Sequence, residues 1–470
     1  MLNRAVASRT RDAASVYAEY LCDTRFEDLP KAVVAATKRS IFDTLGVMLA
    51  GSGPETSAHR LVLEVSRWGG TPEASVIGHP VRLPAVHAGF VNGAMAHQYD
   101  FDDTHDAAVA HPSANSLAAG LAVAEAAGEK SGAELIRAIA LANDIVCRLG
   151  LAIRGSLYEY PWTRPPIIGI WGATAAAAAL LRLEPQAIES AFGFTLHQTG
   201  NTLECLYAAG SDVRGLRDGF SVRNGITAAL MARAGIQGDR TALEGRFGLF
   251  QAFFRGEYDP AVLTDGLGYR FEGAQVSIKP WPSARETHAT IHCVIGLKAA
   301  HQLSADMVEN IHLHVGRTNL EFCEPAQTRR KPTGRMDALS SLPFAVAVAM
   351  RHGSVPLSAY TSAGLEDTEV LDLARRVSWE ADDERNRDGT IEGARVVVRL
   401  RDGRTFSRSA RHGPGHPDDP LPDAFLVRKF RDCARMATRP AADDAVERIS
   451  EIVHDLENRS VSDLVAALPH

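Results

Sequence analysis

The spacing of apolar residues changes character once along the chain, and that change constrains the architecture more than anything else. Through residues 1–267 of 470, apolar side chains recur at helical spacing in an alanine-rich background. Residues 12–23, 31–50 and 57–68 read as helices. So does SLAAGLAVAEAA, with Ser113 placed to cap it and Gly128 to stop it. Ser131-Gly-Ala-Glu134 has the capping-box pattern and opens ELIRAIALANDIVCRLGLAI. GATAAAAALLRL, PQAIESAFGFTLHQTGNTL and SVRNGITAALMARAG complete the series. After Gly268, AQVSIKP, ENIHLHV, RVSWEA and ARVVVRL alternate as strands do, and Asp402-Gly403 is a hairpin turn into RTFSRSA. Helices are interleaved at ETHATIHCVIGLKAAHQL, DALSSLPFAVAVAMRH and DTEVLDLARRV. HGPGHPDDPLP is a loop by its Pro and Gly content, and helical patterning resumes in DAFLVRKFRDCARM and ADDAVERISEIVHDLE. The expectation is a mostly α protein: a large helical domain at 1–267, a smaller α+β domain inserted at 268–410, and helices at 411–470 that return to the first part. No internal repeat is present.

At 45% hydrophobic residues the chain can bury a real core, and its net charge of −7 is a poor match for nucleic acid or an anionic membrane. A local arginine cluster can still hold a small anion. The start, MLNRAVASRTRDAASVYAEYL, lacks an apolar core followed by a small-residue cleavage site, which predicts no signal peptide. No apolar run reaches the ~20 residues of a membrane span. The six cysteines form no CxxC pair, which argues against zinc-ribbon or iron–sulfur ligation and predicts a reduced, cytoplasmic protein with buried thiols.

Residues 97–113, HQYDFDDTHDAAVAHPS, concentrate four aspartates and three histidines. Read as a helix, the segment stacks His97, Asp100 and Thr104 on one face, with Asp103 beside them and Asp102 pointing elsewhere. His111 precedes Pro112, which disfavours helical backbone and places it in a loop ahead of the Ser113-capped helix. A helix N-terminus attracts anions and disfavours imidazolium, so a carboxylate, a hydroxyl and a neutral histidine would face one bound anion. Two other readings stand beside this one. His105 and Asp106, with His97, His111 and the three further aspartates Asp100, Asp102 and Asp103, could hold a divalent ion, although H-E-x-x-H spacing is absent. Alternatively, Asp102 or Asp103 simply accepts from backbone N–H groups in a solvated helix cap.

Three basic clusters follow. KPWPSARETH (279–288) ends a strand at Lys279 and starts a helix near Glu286, with Arg285 and His288 on one side as a carboxylate clamp and acid/base; the plainer alternative pairs Arg285 with Glu286 or the C-terminal region. SDVRGLRDGFSVRNG carries Arg214 and Arg217 in a loop, either to hold carboxylates or merely solvated. YPWTRPP places Arg164 before a small-residue helix.

Taken together, HQYDFDDTH with HPS after it, SGAELIRAIALANDIVCRL, the helix after RPP, VRNGITAALMARAG, LEGRFGLF, KPWPSARETH and PLPDAFLVRKFRD resemble the MmgE/PrpD family, which includes 2-methylcitrate dehydratase, cis-aconitate decarboxylase and iminodisuccinate epimerase. The matching pieces run in family order from about residue 30 to 460. The resemblance implies a helical domain with an α+β lid over a cleft, a homodimer, and neither metal nor organic cofactor. It assigns Asp100, Thr104, His111, Lys279 and His288 to catalysis; Arg285, Arg214, Arg217, Arg164 and His97 are the accompanying candidates for holding substrate. Arg164, Arg214 and Leu339 stand where the family commonly has histidine, lysine and arginine. Arginine stays protonated near pH 7, so Arg164 and Arg214 can bind carboxylates but cannot shuttle protons, which implies an altered substrate. The implied chemistry is proton abstraction beside a carboxylate of a small di- or tricarboxylic acid, with His111 the first choice of base and His288 the second. A 2-methylcitrate dehydratase-like hydro-lyase leads, an epimerase or a cis-aconitate decarboxylase-like lyase follows, and an inert carboxylate-binding relative is the rival of another class.

Overall fold

Local chemistry starts and stops the helices that dominate the chain. The computed structural model describes residues 11–155, 159–386 and 391–469; the signal-peptide reading of residues 1–10 lies outside them. The site is carried by six long helices: α1 (Lys31–Gly51), α2 (Ala85–Ala96), α3 (Pro112–Ala126), α4 (Gly132–Ala152), α5 (Arg164–Leu180) and α6 (Val213–Arg233). The capping box is present: Ser131 Oγ accepts from Glu134 N at 3.2 Å and Glu134 Oε2 from Ser131 N at 3.0 Å. Prolines in the first turns of α3 and α5 need no N–H partner there. Small residues let these helices touch closely: a Cβ on Gly219 of α6 would come within 2.5 Å of the Phe90 carbonyl oxygen on α2. One on Gly225 would come within 2.7 Å of Ala173 Cβ on α5.

A four-stranded sheet follows: β1 (Val308–Val315), β2 (Val377–Ala381), β3 (Ala394–Leu400) and β4 (Thr405–Ala410), in the order β2-β1-β3-β4. β1 and β2 are parallel; the other pairs are antiparallel. Ile311, Leu313 and Val315 of β1 point into a core shared with α7 (His288–His301) and α8 (Leu342–His352). Residues after 420 rejoin the first helical core, where Phe430 of α9 (Asp423–Arg435) stacks on Phe42 of α1 with ring centroids 4.5 Å apart.

Several local expectations fail for identifiable reasons. AQVSIKP alternates but finds no neighbouring strand, and only Ser277 bridges, to Thr104. DALSSLPFAVAVAMRH is two helices, because Ser341 caps a new one at Leu342-Pro343. Arg214 and Arg217 lie within the first turns of α6, not in a loop. Helix α3 starts at Pro112 with His111 at its N-cap, so Ser113 lies inside the first turn rather than capping it. The thiols are not uniformly buried: Cys22 is exposed and Cys205 intermediate. No helix of the described residues is long and apolar enough to cross a membrane.

Candidate active site

The aspartate-rich stretch is not helical. Helix α2 ends at Ala96, and the chain turns through Asp100, whose φ of 45° lies in the left-handed region that aspartate tolerates better than most residues. That turn overturns the helical projection. Asp102, expected to point away, is fully buried at the centre of the cluster.

Asp102 joins two histidines. Its Oδ1 lies 2.9 Å from Nδ1 of His97, and its Oδ2 lies 3.2 Å from Nδ1 of His111. The same His111 nitrogen lies 3.1 Å from the Asp103 carbonyl oxygen and 3.3 Å from Thr104 Oγ1. A carboxylate and a carbonyl can only accept, so the proton belongs on Nδ1. Nε2 of His111 is then the nitrogen that takes and gives protons at the cavity. The two rings diverge electrostatically. Burial pushes His111 down, but the Asp102 carboxylate more than offsets this and its pKa is raised; burial dominates at His97, whose pKa is lowered. Asp103 accepts from Ser113 N at 3.2 Å and from Ser113 Oγ at 2.6 Å, fixing the turn to the start of α3. Val109, on the cavity wall, also has a left-handed φ of 51°, a cost of ~1–3 kcal/mol for a β-branched residue that its surroundings must hold.

The two remote segments of the sequence do converge. Lys279 Nζ donates to Asp100 Oδ1 at 2.5 Å and to its carbonyl oxygen at 2.7 Å, while Arg214 donates to Asp100 Oδ2 at 2.6 Å. Burial would push Asp100 up, but these two cations hold it well below the usual carboxylate range. Arg285 lies 3.2 Å from Asp106 and 2.8 Å from Glu392. Neither acid is Glu286, but the guanidinium also donates to the carbonyls of Pro414 at 3.4 Å and Gly413 at 3.5 Å, the C-terminal region that the plainer alternative named.

Together these residues wall a cavity of about 570 Å³, counting its open mouth. Asp100, Thr104, His111, Arg164, Arg214, Arg217 and Arg285 all face it, with Trp162, Leu206, Phe322 and Ile391 as apolar wall. Arg217 donates to Thr163 Oγ1 at 3.1 Å and meets Asp218 at 3.4 Å. Arg164 is only 8% exposed and has no hydrogen-bond or ion-pair partner among the described residues. Burial alone brings its guanidinium down to about 10, still charged at neutral pH. An unpaired buried cation beside three paired ones is built for an anion.

Three expected site residues do not line this cavity. His97 lies behind Asp102, and Lys279 is closed off by Asp100. His288 is fully buried against Trp281, with neither ring nitrogen hydrogen-bonded and its pKa pushed well down by burial and then by Arg285 and Lys279. The structure adds Asp102, Glu392 and Glu286. The local signal for Glu286 was an acid at the turn that opens α7.

The donors of His97, Asp100, Asp102 and His111 lie within 4.8 Å of one another, close enough to hold an ion. A metal there would compete with Lys279 and Arg214 for Asp100 and with both histidines for Asp102. Asp100 has both oxygens taken by Lys279 and Arg214, whereas His97 Nε2 has no hydrogen-bond partner among the described residues, and Asp102 Oδ2 has none beyond its ion pair with His111.

Comparison with known sequences decides the family. The MmgE/PrpD N-terminal domain profile matches residues 16–261, and the C-terminal domain profile matches residues 281–458. The chain belongs to the MmgE/PrpD family. Among its relatives, human cis-aconitate decarboxylase is 27% identical over 92% of this chain and 89% of its own length. A cis-aconitate decarboxylase-like protein of Aspergillus oryzae is 25% identical, covering 96% of this chain and 95% of its own. Cis-aconitate decarboxylase of Aspergillus terreus is 25% identical over 92% and 90%. Within this MmgE/PrpD chain the matched segments contain every residue of the cavity wall; the 97–113 motif falls in the first, and the 279–288 motif falls in the second except for Lys279 and Pro280, which precede it.

Proposed function

We propose that the chain is a lyase of a small polycarboxylic acid, working without a cofactor by proton transfer at a carbon beside a carboxylate. The observation that carries this reading is His111, with Nδ1 fixed by Asp102 and Asp103, on the wall of a cavity where Arg164 stands unpaired. Decarboxylation of a cis-aconitate-like acid is the leading reaction, because the three relatives described above carry cis-aconitate decarboxylase names.

In this reading, Arg164 and the accessible N–H groups of Arg217 and Arg214 hold substrate carboxylates. The His111 imidazolium delivers its Nε2 proton to an alkene carbon that bears a carboxylate. The alkene pair forms the new C–H bond, the pair of the C–CO2 bond becomes the shifted double bond, and carbon dioxide leaves. His111 regains a proton from solvent. Asp102 keeps the imidazolium accessible near neutral pH, and His97 orients Asp102. The 268–410 part, which supplies Arg285, Phe322 and Ile391 to the wall, is read as a lid, and the working unit as a homodimer.

The test is a proton-NMR and carbon-dioxide screen of purified protein against cis-aconitate, citrate, 2-methylcitrate and iminodisuccinate. Turnover of cis-aconitate is expected, with His111→Ala lowering kcat by ~10²–10⁴. Binding of these acids with no reaction of any would instead favour an inert carboxylate-binding relative.

A further inference from the structure

Glu286 is the carboxyl on the cavity wall that no protein cation holds, among the described residues. Asp100, the other wall carboxylate, has both oxygens taken by Lys279 and Arg214. Glu286 is only 8% exposed, and its carboxyl meets its own backbone N–H but no side chain at hydrogen-bond or ion-pair distance among those residues. Its placement is not loose: it lies in the short 3-10 turn Arg285–Thr287, and Asn319 Nδ2 donates to its backbone carbonyl at 2.6 Å. The charges that act on it are Asp100, Arg214, Lys279 and Arg285, and the same wall carries His111, Arg164 and Arg217. Arg285 beside it in sequence is not at ion-pair distance from it, being engaged by Asp106 and Glu392.

This arrangement is awkward for an anion site. A bare carboxylate on the wall of a desolvated cavity repels an incoming polycarboxylate, and that repulsion is poorly screened where water is excluded. A neutral carboxylic acid at the same place has an O–H to donate to a substrate carboxylate oxygen. We propose that Glu286 holds the substrate as a neutral acid, so that the cavity takes up one proton together with its polycarboxylate. Burial pushes this carboxyl up, with Asp100 adding to the push, and its own backbone N–H, Arg214 and Lys279 offset this only in part. The inference rests on the cavity being a polycarboxylate site and on nothing about the reaction performed there. It makes Glu286 a specificity-determining residue, selecting for acids with a carboxylate placed to accept that hydrogen bond.

Tricarballylate, a saturated tricarboxylate, separates binding from chemistry. Calorimetric titration in buffers of different ionisation enthalpy counts the protons taken up, after correction for the ligand's own ionisation. The wild-type protein is expected to bind more weakly as pH rises, with the proton at Glu286 contributing up to about ten-fold per pH unit beside whatever His111 contributes. Glu286→Gln should take up one proton fewer and bind with a correspondingly shallower pH slope, while His111→Gln should keep the Glu286 proton. Uptake unchanged in Glu286→Gln, or lost in His111→Gln instead, overturns the assignment. A pH-independent wild-type affinity does so without any variant. If wild-type protein binds no polycarboxylate at any pH, the polycarboxylate reading fails, and this inference with it; binding without the Glu286 proton sinks this inference alone.

Discussion

Replacing Asp102 with asparagine tests the arrangement around His111 most sharply. The Asp102 carboxylate lies 3.2 Å from Nδ1 of His111, and both are buried. At an effective dielectric near 20, unit charges at that separation attract by about 5 kcal/mol, an upper bound on what the imidazolium loses. The lower bound is the difference between a charged and a neutral hydrogen bond, about 1.4 kcal/mol. The expected fall in kcat therefore lies between ~10-fold and ~10⁴-fold, with ~10² as the centre. The pH profile carries the sign. Asp102 raises the His111 pKa, so activity that depends on imidazolium is full at lower pH and fades as pH rises through that value. In Asp102→Asn the fade moves to lower pH. Initial rates of cis-aconitate consumption across pH, with circular dichroism to check folding, read both effects. A folded variant with wild-type kcat and an unmoved alkaline limb would refute the assigned role of Asp102.

Other outcomes follow from the same contacts. Arg164→Ala should weaken polycarboxylate binding by ~10–150-fold, the worth of a charge-assisted hydrogen bond of about 1.5–3 kcal/mol, as read by calorimetry. Lys279→Met leaves Asp100 buried with only Arg214 and should cost ~3–5 kcal/mol in urea unfolding. Phe430→Ala removes the stack on Phe42 and should cost ~3–5 kcal/mol in the same assay. Dialysis against a chelator should leave activity unchanged; activity lost with a stoichiometric divalent ion and restored by it would revive the metal reading of His97, Asp100, Asp102 and His111.

What could be read from the sequence was local. The Ser131–Glu134 capping box, the periodic helices and the Asp402-Gly403 hairpin depend on neighbours in the chain, and the structure holds all three. The convergence of Lys279 on Asp100 came from motif resemblance rather than periodicity. A helical projection through residues 97–104 misplaces Asp102, because the left-handed turn at Asp100 sends successive side chains in directions no period describes. AQVSIKP failed as a strand because alternation says nothing about whether a partner lies alongside. Glu286 was hidden by its neighbour: an acid next to an arginine reads as a pair, and only the contacts of Arg285 with Asp106 and Glu392 leave it free.

Turnover of cis-aconitate in heavy water reads proton delivery by His111. One equivalent of carbon dioxide is expected, with a product bearing a single solvent-derived deuterium beside a carboxylate, and both should fall by ~10² or more in His111→Ala. A product formed at the wild-type rate by folded His111→Ala, or one carrying no deuterium, would contradict it.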